Sequence, residues 1–413
     1  MTTRRTVLNG ILAASGAALL SSTSRMAFAQ APAEVKVALI APLSGPWARQ
    51  GELMKKGAEL AVADINAAGG VKALGGAKVT LVLFDAGDST EKAKNAAQRM
   101  VAQEPDLVGV TGAWLSSFTL AVSEVTERAE LPMLTLSYAD SITSRGYKYI
   151  FQMSPTGGRQ AQDALPALMD VAEKATGKRP ATTGIIADNT AASVSFAKPM
   201  RDGAFEKSGI KVLFDETFTP PLADATALIQ QARSKRPEFL LMLGTSVPDD
   251  KLLLEKVNEF NLGKGRMPII GSGAHMGTPE LLKNIGPDLL EGVMTVVGNW
   301  GAKGQDGIID RFKKATGEPW MTQDSICAYG DVMTIIRAVE EAKKADRKAV
   351  AEALRKMDVT DGPALFYPGN RIRFDETGKR IDAKLIIVQW QKGVPVPIYP
   401  PASATADPIW PKR

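Results

Sequence analysis

Short apolar runs of strand length alternate with helical patterns along nearly the whole chain, in two successions, and this limits the folds open to it. The first succession has strand candidates at residues 35–40, 79–84, 107–111 and 133–136. Between the first two, Met54, Ala58, Ala61 and Ile65 recur at helical spacing, so they share one face, and Gly69-Gly70 stops that helix. Asp88, with Glu91 three positions on, gives a capping-box start to the next helix, and residues 116–129 make a third. The second succession has strand candidates at 184–187, 211–214, 239–243, 267–270 and 292–297. Near-continuous apolar strands mean that both faces of a sheet are covered, hence parallel sheets between helices. The expectation is an α/β chain of two lobes, with Ser154-Pro155-Thr156-Gly157-Gly158 as a connection between them.

Residues 305–357 read as purely helical. Two further strands are expected at 370–374 and 384–390, around the turn Glu376-Thr377-Gly378. The proline-rich stretch from Pro395 onward keeps Tyr399, Ile409 and Trp410, and reads as an extended strap lying on a lobe.

The N-terminus carries an address. MTTRRTVL is followed by an uncharged Ala-, Leu- and Gly-rich stretch and then by Ala27-Phe28-Ala29, the order of a removable export signal over residues 1–29. The Arg4-Arg5 pair marks it as the twin-arginine type, with the cut near Ala29 and the mature protein in the periplasm. Its apolar run falls short of the roughly 20 residues that span a bilayer.

Composition and single residues exclude much chemistry. With 45% hydrophobic and 23% charged residues the chain has a globular balance, and 413 residues suit two domains better than one core. The net charge of +5 is mild, and pairs such as Lys55-Lys56 and Lys313-Lys314 read as solvated helix faces, so no nucleic-acid partner is expected. Cys327 is the lone cysteine, which forbids an intrachain disulfide; its apolar neighbours place it in a core. His275 is the lone histidine, which rules out a His-rich zinc site, and no Cys cluster replaces it. A Ser-His-Asp triad lacks its G-x-S-x-G elbow, and Ser195–Lys198 fits S-x-x-K without that class's partner motifs. The run Gly271-Ser272-Gly273-Ala274-His275-Met276-Gly277 is one residue off the dinucleotide fingerprint, and no acidic residue ends the following strand. Neither catalysis nor a cofactor or metal is expected, with a nicotinamide-dependent oxidoreductase as a remote alternative.

The segment Val35-Lys36-Val37-Ala38-Leu39-Ile40-Ala41-Pro42-Leu43-Ser44-Gly45-Pro46, followed by residues 57–71 (GAELAVADINAAGGV), resembles the periplasmic binding proteins for leucine, isoleucine and valine. Supporting matches are Asp85, Gly112-Ala113-Trp114-Leu115-Ser116-Ser117 and Ser144-Arg145-Gly146-Tyr147. The resemblance implies a type I periplasmic-binding fold: two Rossmann-like lobes joined by three crossovers, clamping a small molecule. It places lobe 1 at 34–153 plus 299–370 and lobe 2 at 154–298 plus 371–413. It also implies a monomer that hands its ligand to inner-membrane ABC permease subunits. A sensory ligand-binding module of the same fold is the alternative.

In doubly wound sheets the ligand sits beyond the carboxyl ends of the strands. Those loops offer Trp47, Trp114, Ser116, Ser117, Ser137, Tyr138 and Ala139 from the first lobe, and Asn189, Ala192, Ser246, Gly273 and His275 from the second. Ser116 and Ser117 open a helix whose free N–H groups suit a carboxylate, although Ser116 alone also reads as a plain N-cap. In the resembled family that serine loop and the next strand's loop hold the ligand's carboxylate, which carries over to Ser116 and approximately to Ser137 and Ala139. Trp47, Trp114 and Tyr138 offer rings for an apolar ligand part, or else lie buried under their loops. Arg49 and Arg145 are candidates to pair with a carboxylate, Arg145 more as a brace for its loop. His275 either donates to a ligand oxygen or caps the following helix.

The second lobe departs from the amino-acid binders. Ala192 and Ser246 replace aromatic residues, and Gly273 replaces the glutamate that pairs with the ligand's ammonium. The resemblance then favours a carboxylate without an α-amino group, aromatic or otherwise, over a branched-chain amino acid.

Overall fold

The computed structural model describes residues 34–263 and 266–410. The export signal read over residues 1–29 lies outside the described residues. Among those described, no helix is long and apolar enough to cross a membrane.

Five strands, β1 (Glu34–Ala41), β2 (Lys78–Asp85), β3 (Leu107–Gly112), β4 (Met133–Thr135) and β5 (Ile150–Gln152), form an all-parallel sheet of order β2-β1-β3-β4-β5. Helices α1 (Ala48–Ala67), α2 (Thr90–Gln103) and α3 (Ser116–Arg128) make the crossovers between its first four strands. The face expected for α1 is the buried one, with Met54, Ala58, Ala61 and Ile65 all inside.

After α4 (Gly157–Thr176) the pattern repeats. β6 (Thr182–Asp188), α5 (Ala191–Pro199), β7 (Lys211–Phe218), β8 (Phe239–Leu243), β9 (Ile269–Ser272) and β10 (Met294–Val297) follow. The five strands pair in the order β7-β6-β8-β9-β10, the same winding as the first sheet. β8 shows why its sequence is apolar throughout. Phe239, Leu241 and Leu243 enter one hydrophobic core while Leu240 and Met242 enter another, on the opposite face.

The helices Asp306–Thr316, Gln323–Ala342 and Arg347–Lys356 fill the stretch expected to be helical, and Ile308, Phe312, Ile335 and Leu354 join the first lobe's core. Cys327 is buried there as a free thiol.

Three expectations need correction. Ser89, not Asp88, caps α2: its Oγ accepts the Lys92 N–H at 3.2 Å, while Asp88 pairs with the Lys92 ammonium at 2.8 Å. An isolated antiparallel bridge, Phe374 to Arg380, spans the Glu376 turn, and the strands on either side of it pair elsewhere. β11 (Asp358–Val359) pairs with β12 (Ile372–Arg373), whereas β13 (Ile386–Gln391) adds antiparallel to β10 in the second sheet. Ile372 and Phe374 are buried in the first lobe's core, so the chain leaves that lobe later than residue 370. The start of the expected strap is a strand, β14 (Val394–Tyr399), antiparallel to β13. It is an edge strand, where Pro395 and Pro397 cost no ladder donor on the open side. Trp410 then packs into the second core beside Phe239, with ring centroids 6.3 Å apart.

The chain passes between the lobes three times, and the passages lie together. The Gln152 N–H donates to the Gly378 carbonyl at 2.8 Å, and the Arg380 N–H donates to the Gln152 carbonyl at 3.0 Å. The buried Arg380 guanidinium donates to the carbonyls of Met153, Pro368 and Arg371. The middle passage runs against the first: a Cβ on Gly298 would stand 2.7 Å from Ser154 Oγ.

Candidate functional site

The loops after β3 and β4 form the first lobe's side of the site. At the end of β3 the chain takes three left-handed residues in succession, Gly112 (φ 129°), Ala113 (φ 61°) and Trp114 (φ 56°). Gly112 is required, since a Cβ there would meet the Ile40 carbonyl oxygen at 1.9 Å. Ala113 and Trp114 lack that freedom, and each carries strain on the order of 1–3 kcal/mol. The surroundings hold them: the Ala113 N–H donates to the Ile40 carbonyl, and the Trp114 indole N–H donates to Asp324 Oδ1 at 2.9 Å. Asp324 is fully buried, and burial pushes its carboxyl up to about 7 despite that indole donor.

α3 starts immediately afterwards, with Leu115 in the capping position and no side chain capping it. Its first N–H groups therefore lack intrahelical partners and favour an anion. Ser116 does not cap its own helix. Its Oγ accepts the N–H groups of Tyr138 and Ala139, both at 3.1 Å, tying the β4 loop to the β3 loop. The Ser137 hydroxyl donates to the Trp114 carbonyl at 2.8 Å and lies 2.6 Å from Thr119 Oγ1, within an internal chain of hydroxyls. The Tyr138 hydroxyl donates to Gln323 Oε1 at 2.6 Å and accepts the Gly298 N–H at 3.1 Å, so it is anchored on a passage between the lobes.

Facing these loops are the starts of α5 and of the helix Val247–Glu259, and the glycine loop after β9. Together the two lobes border a partly open cleft of about 450 Å³, the open solvent at its mouth included. From the first lobe Trp114, Leu115, Ser116, Leu136, Ser137, Tyr138 and Gln323 line it. From the second come Ala192, Ser193, Thr245 and residues 272–275. Both sets lie at points where strand order reverses, between β1 and β3 and between β6 and β8, or one strand further on.

Of the residues named from sequence, Trp114, Ser116, Ser137, Tyr138, Ala192, Gly273 and His275 line this space. The other five do not. Trp47 turns its ring edge-on to Phe118, centroids 5.6 Å apart, and donates its indole N–H to the Thr245 carbonyl at 3.2 Å. Ser117, one position along α3, is half-buried away from the lining. Ala139 is buried behind the loop with its N–H on Ser116. Asn189 is exposed and donates to Thr219 Oγ1 at 2.8 Å. Ser246 caps its own helix, accepting the Asp249 N–H at 3.2 Å.

Neither arginine reaches the lining. Arg49 forks onto both carboxylate oxygens of Glu318, at 3.0 and 2.6 Å, and its Nε lies 2.8 Å from Glu280. Arg145 braces its loop through the Leu120 and Ile142 carbonyls and Ser123 Oγ.

His275 is buried, with Nε2 3.0 Å from Asp250 Oδ2 in an ion pair, and its ring stands edge-on to Trp114 at 6.3 Å. Burial alone would lower the imidazole's pKa, but the adjacent Asp250 carboxylate outweighs it and holds the imidazole above its usual value. The ring does not cap the following helix; it is the backbone carbonyl of His275 that accepts the Thr278 hydroxyl, at 3.0 Å.

Residues 34–394 match the sequence model of the periplasmic binding protein family. The chain belongs to that family. The binding protein is 29% identical over 404 residues to Leu/Ile/Val-binding protein homolog 8 of Brucella suis biovar 1, covering 95% of this chain and 96% of the relative. Its fold is similar to that of the leucine binding protein LivK from Thermotoga maritima MSB8, with TM-score 0.74, 22% identity and coverage of 88% of this chain and 97% of the other. A solute binding protein of an ABC transporter from R. palustris, solved in complex with benzoate, superposes with TM-score 0.73 at 17% identity, covering 91% of this chain and 98% of the other. The binding protein thus has the type I periplasmic-binding fold of these structures.

Seven lining residues were not among those named from sequence: Leu115, Leu136, Ser193, Thr245, Ser272, Ala274 and Gln323. Gln323 starts a helix, and Thr245 sits beside the capping Ser246; the strand-end rule reaches Thr245 but gives no sign of Gln323.

Proposed function

We propose that the binding protein is the solute receptor of an ABC importer, exported to the periplasm through its twin-arginine signal and cut near Ala29. Its ligand is a small carboxylate without an α-ammonium group, an aromatic acid in preference to a branched-chain amino acid. One observation carries the ligand preference: among the described residues no Asp, Glu, Lys or Arg lines the cleft. The nearby second-lobe acids do not line it. Asp188 accepts from Thr190 and from the Thr245 hydroxyl, Asp249 accepts the Leu222 N–H, and Asp250 pairs with His275. An ammonium group would be buried there without a counter-charge, at a cost no apolar contact offsets. A carboxylate has the start of α3, and Trp114 and Tyr138 supply ring surface. The benzoate complex of the R. palustris protein supports the aromatic class, and the Brucella homologue's name supports the amino-acid class.

Function here is capture. Ligand contacts to both lobes favour the closed form in proportion to the difference in affinity between the two forms. The closed form then docks on the permease subunits as a monomer, and no bond of the ligand changes.

A thermal-shift series over leucine, isoleucine, benzoate and succinate tests this reading. A ligand at 100 times its dissociation constant adds about 2.7 kcal/mol. A strong shift with leucine and none with benzoate overturns the ligand class.

A further inference from the structure

We propose that His275, held by Asp250, selects ligands that carry a hydroxyl group away from their carboxylate, so that the solute is a hydroxylated aromatic acid. This rests on the carboxylate reading above and adds the group at the ligand's other end.

Four observations converge. First, His275 is buried, yet its ring lines the cleft, on the second lobe and opposite the start of α3. Second, its Nε2 stands 3.0 Å from Asp250 Oδ2 as an ion pair, while neither that nitrogen nor either Asp250 carboxylate oxygen, all buried, makes a hydrogen bond. The ion pair places Nε2 on the Asp250 side, and Nδ1 is the nitrogen left for a ligand. Third, two glycines make room for the pair. A Cβ on Gly244 would lie 2.6 Å from Asp250 Oδ1, and a Cβ on Gly273 would lie 2.7 Å from His275 Nδ1 and Cε1. Gly273 is itself a lining residue and puts no side chain over Nδ1. Fourth, the flank is apolar: Trp114 stands edge-on to the imidazole, and Ala274 and Ala192 line the space.

A bare hydrocarbon ring pressed against this nitrogen would strip it of water and give nothing back. A hydroxyl satisfies it in either protonation state. It accepts from the doubly protonated imidazolium and donates to the singly protonated ring. A second carboxylate fits less well, because Asp250 and protonated His275 together carry no net charge and the added anion would be unbalanced. The selection follows the general asymmetry of such sites, in which a pocket built around a polar group rejects the analogue that cannot pair with it.

Calorimetric titration of the full mature protein with benzoate, 3-hydroxybenzoate, 4-hydroxybenzoate, terephthalate and leucine tests the proposal. At least one hydroxybenzoate isomer is expected to bind about tenfold or more tightly than benzoate and terephthalate. H275F is expected to collapse that ratio towards one, and D250N to reduce it. If H275F shows no cooperative melting, D250N carries the same comparison. Equal affinity for benzoate and both hydroxybenzoates in the unmodified protein overturns the role of His275, as does an undiminished ratio in D250N. Binding of leucine with no binding of any aromatic acid overturns the underlying carboxylate reading instead, and that pattern is distinct from the other two.

Discussion

The indole N–H of Trp47, on the first lobe, donates to the carbonyl oxygen of Thr245, on the second, at 3.2 Å. The bond links the lobes beside the cleft without any ligand atom. W47F keeps a ring against Phe118 and removes only the donor. A hydrogen bond of this kind is worth about 1 kcal/mol, so ligand affinity should fall about fivefold, because the closed form is less populated. Titration of W47F with the best ligand checks this; an unchanged affinity would show that the bond contributes nothing to closure.

Arg49 joins the lobes a second way, since Glu280 lies on the second lobe and Glu318 on the first. Glu280 is partly exposed, so its ion pair is worth about 0.2–1 kcal/mol. E280Q should weaken ligand binding by up to about fivefold at low salt. At about 1 M salt, where the screening length is near 3 Å, the difference should vanish. A salt-independent difference would point to shape rather than charge.

Asp324 makes stability depend on pH. Its folded pKa is raised to about 7 by burial, against about 3.9 for an unfolded aspartate. Between those values the native chain keeps a proton that the unfolded chain has released, so this contribution falls as pH rises from about 4 to about 7 and is level above. D324N has no such proton to lose. The melting temperature of D324N relative to the parent should therefore rise from pH 4.5 to pH 7.5. A difference that is flat over this range would mean that Asp324 titrates normally.

Ser116 serves two N–H groups at once. S116A leaves the buried amides of Tyr138 and Ala139 without their acceptor, and unliganded stability should fall by about 1–3 kcal/mol in denaturant titrations. S116L places its side chain in the cleft. It should abolish the ligand-induced thermal shift while still melting cooperatively; a retained shift would move the ligand away from α3.

Most of the sheet architecture is legible in the sequence because period and length are local signals. Nine of the strands β1–β10 fall where the apolar runs lie, the short β5 being the exception, and α1 buries the face its spacing defines. The strand-end rule also finds the loops of Trp114, Ser137 and Gly273. It cannot orient a ring: Trp47 sits in an appropriate loop and turns to Phe118. Pairings that depend on the passages between lobes are harder still. Tyr138 and Gln323 are 185 residues apart, and no pattern near either announces the other. Asp250 illustrates a different obstacle. An acid in the first turn of a helix reads as a favourable partner of the helix dipole, and only the fold brings His275 against it. β14 was hidden by its prolines, which an edge position tolerates and a central one does not.

The side-by-side passages at residues 152–154, 298–299 and 378–380 behave mechanically as a ribbon. A ribbon flexes across its flat face and resists shear and torsion, because sliding one strand past another breaks the Gln152 ladder and drags Arg380 off its three carbonyls. A motion of the loop sets about this ribbon would be confined to a single arc and would return Trp114 and His275 to the same register.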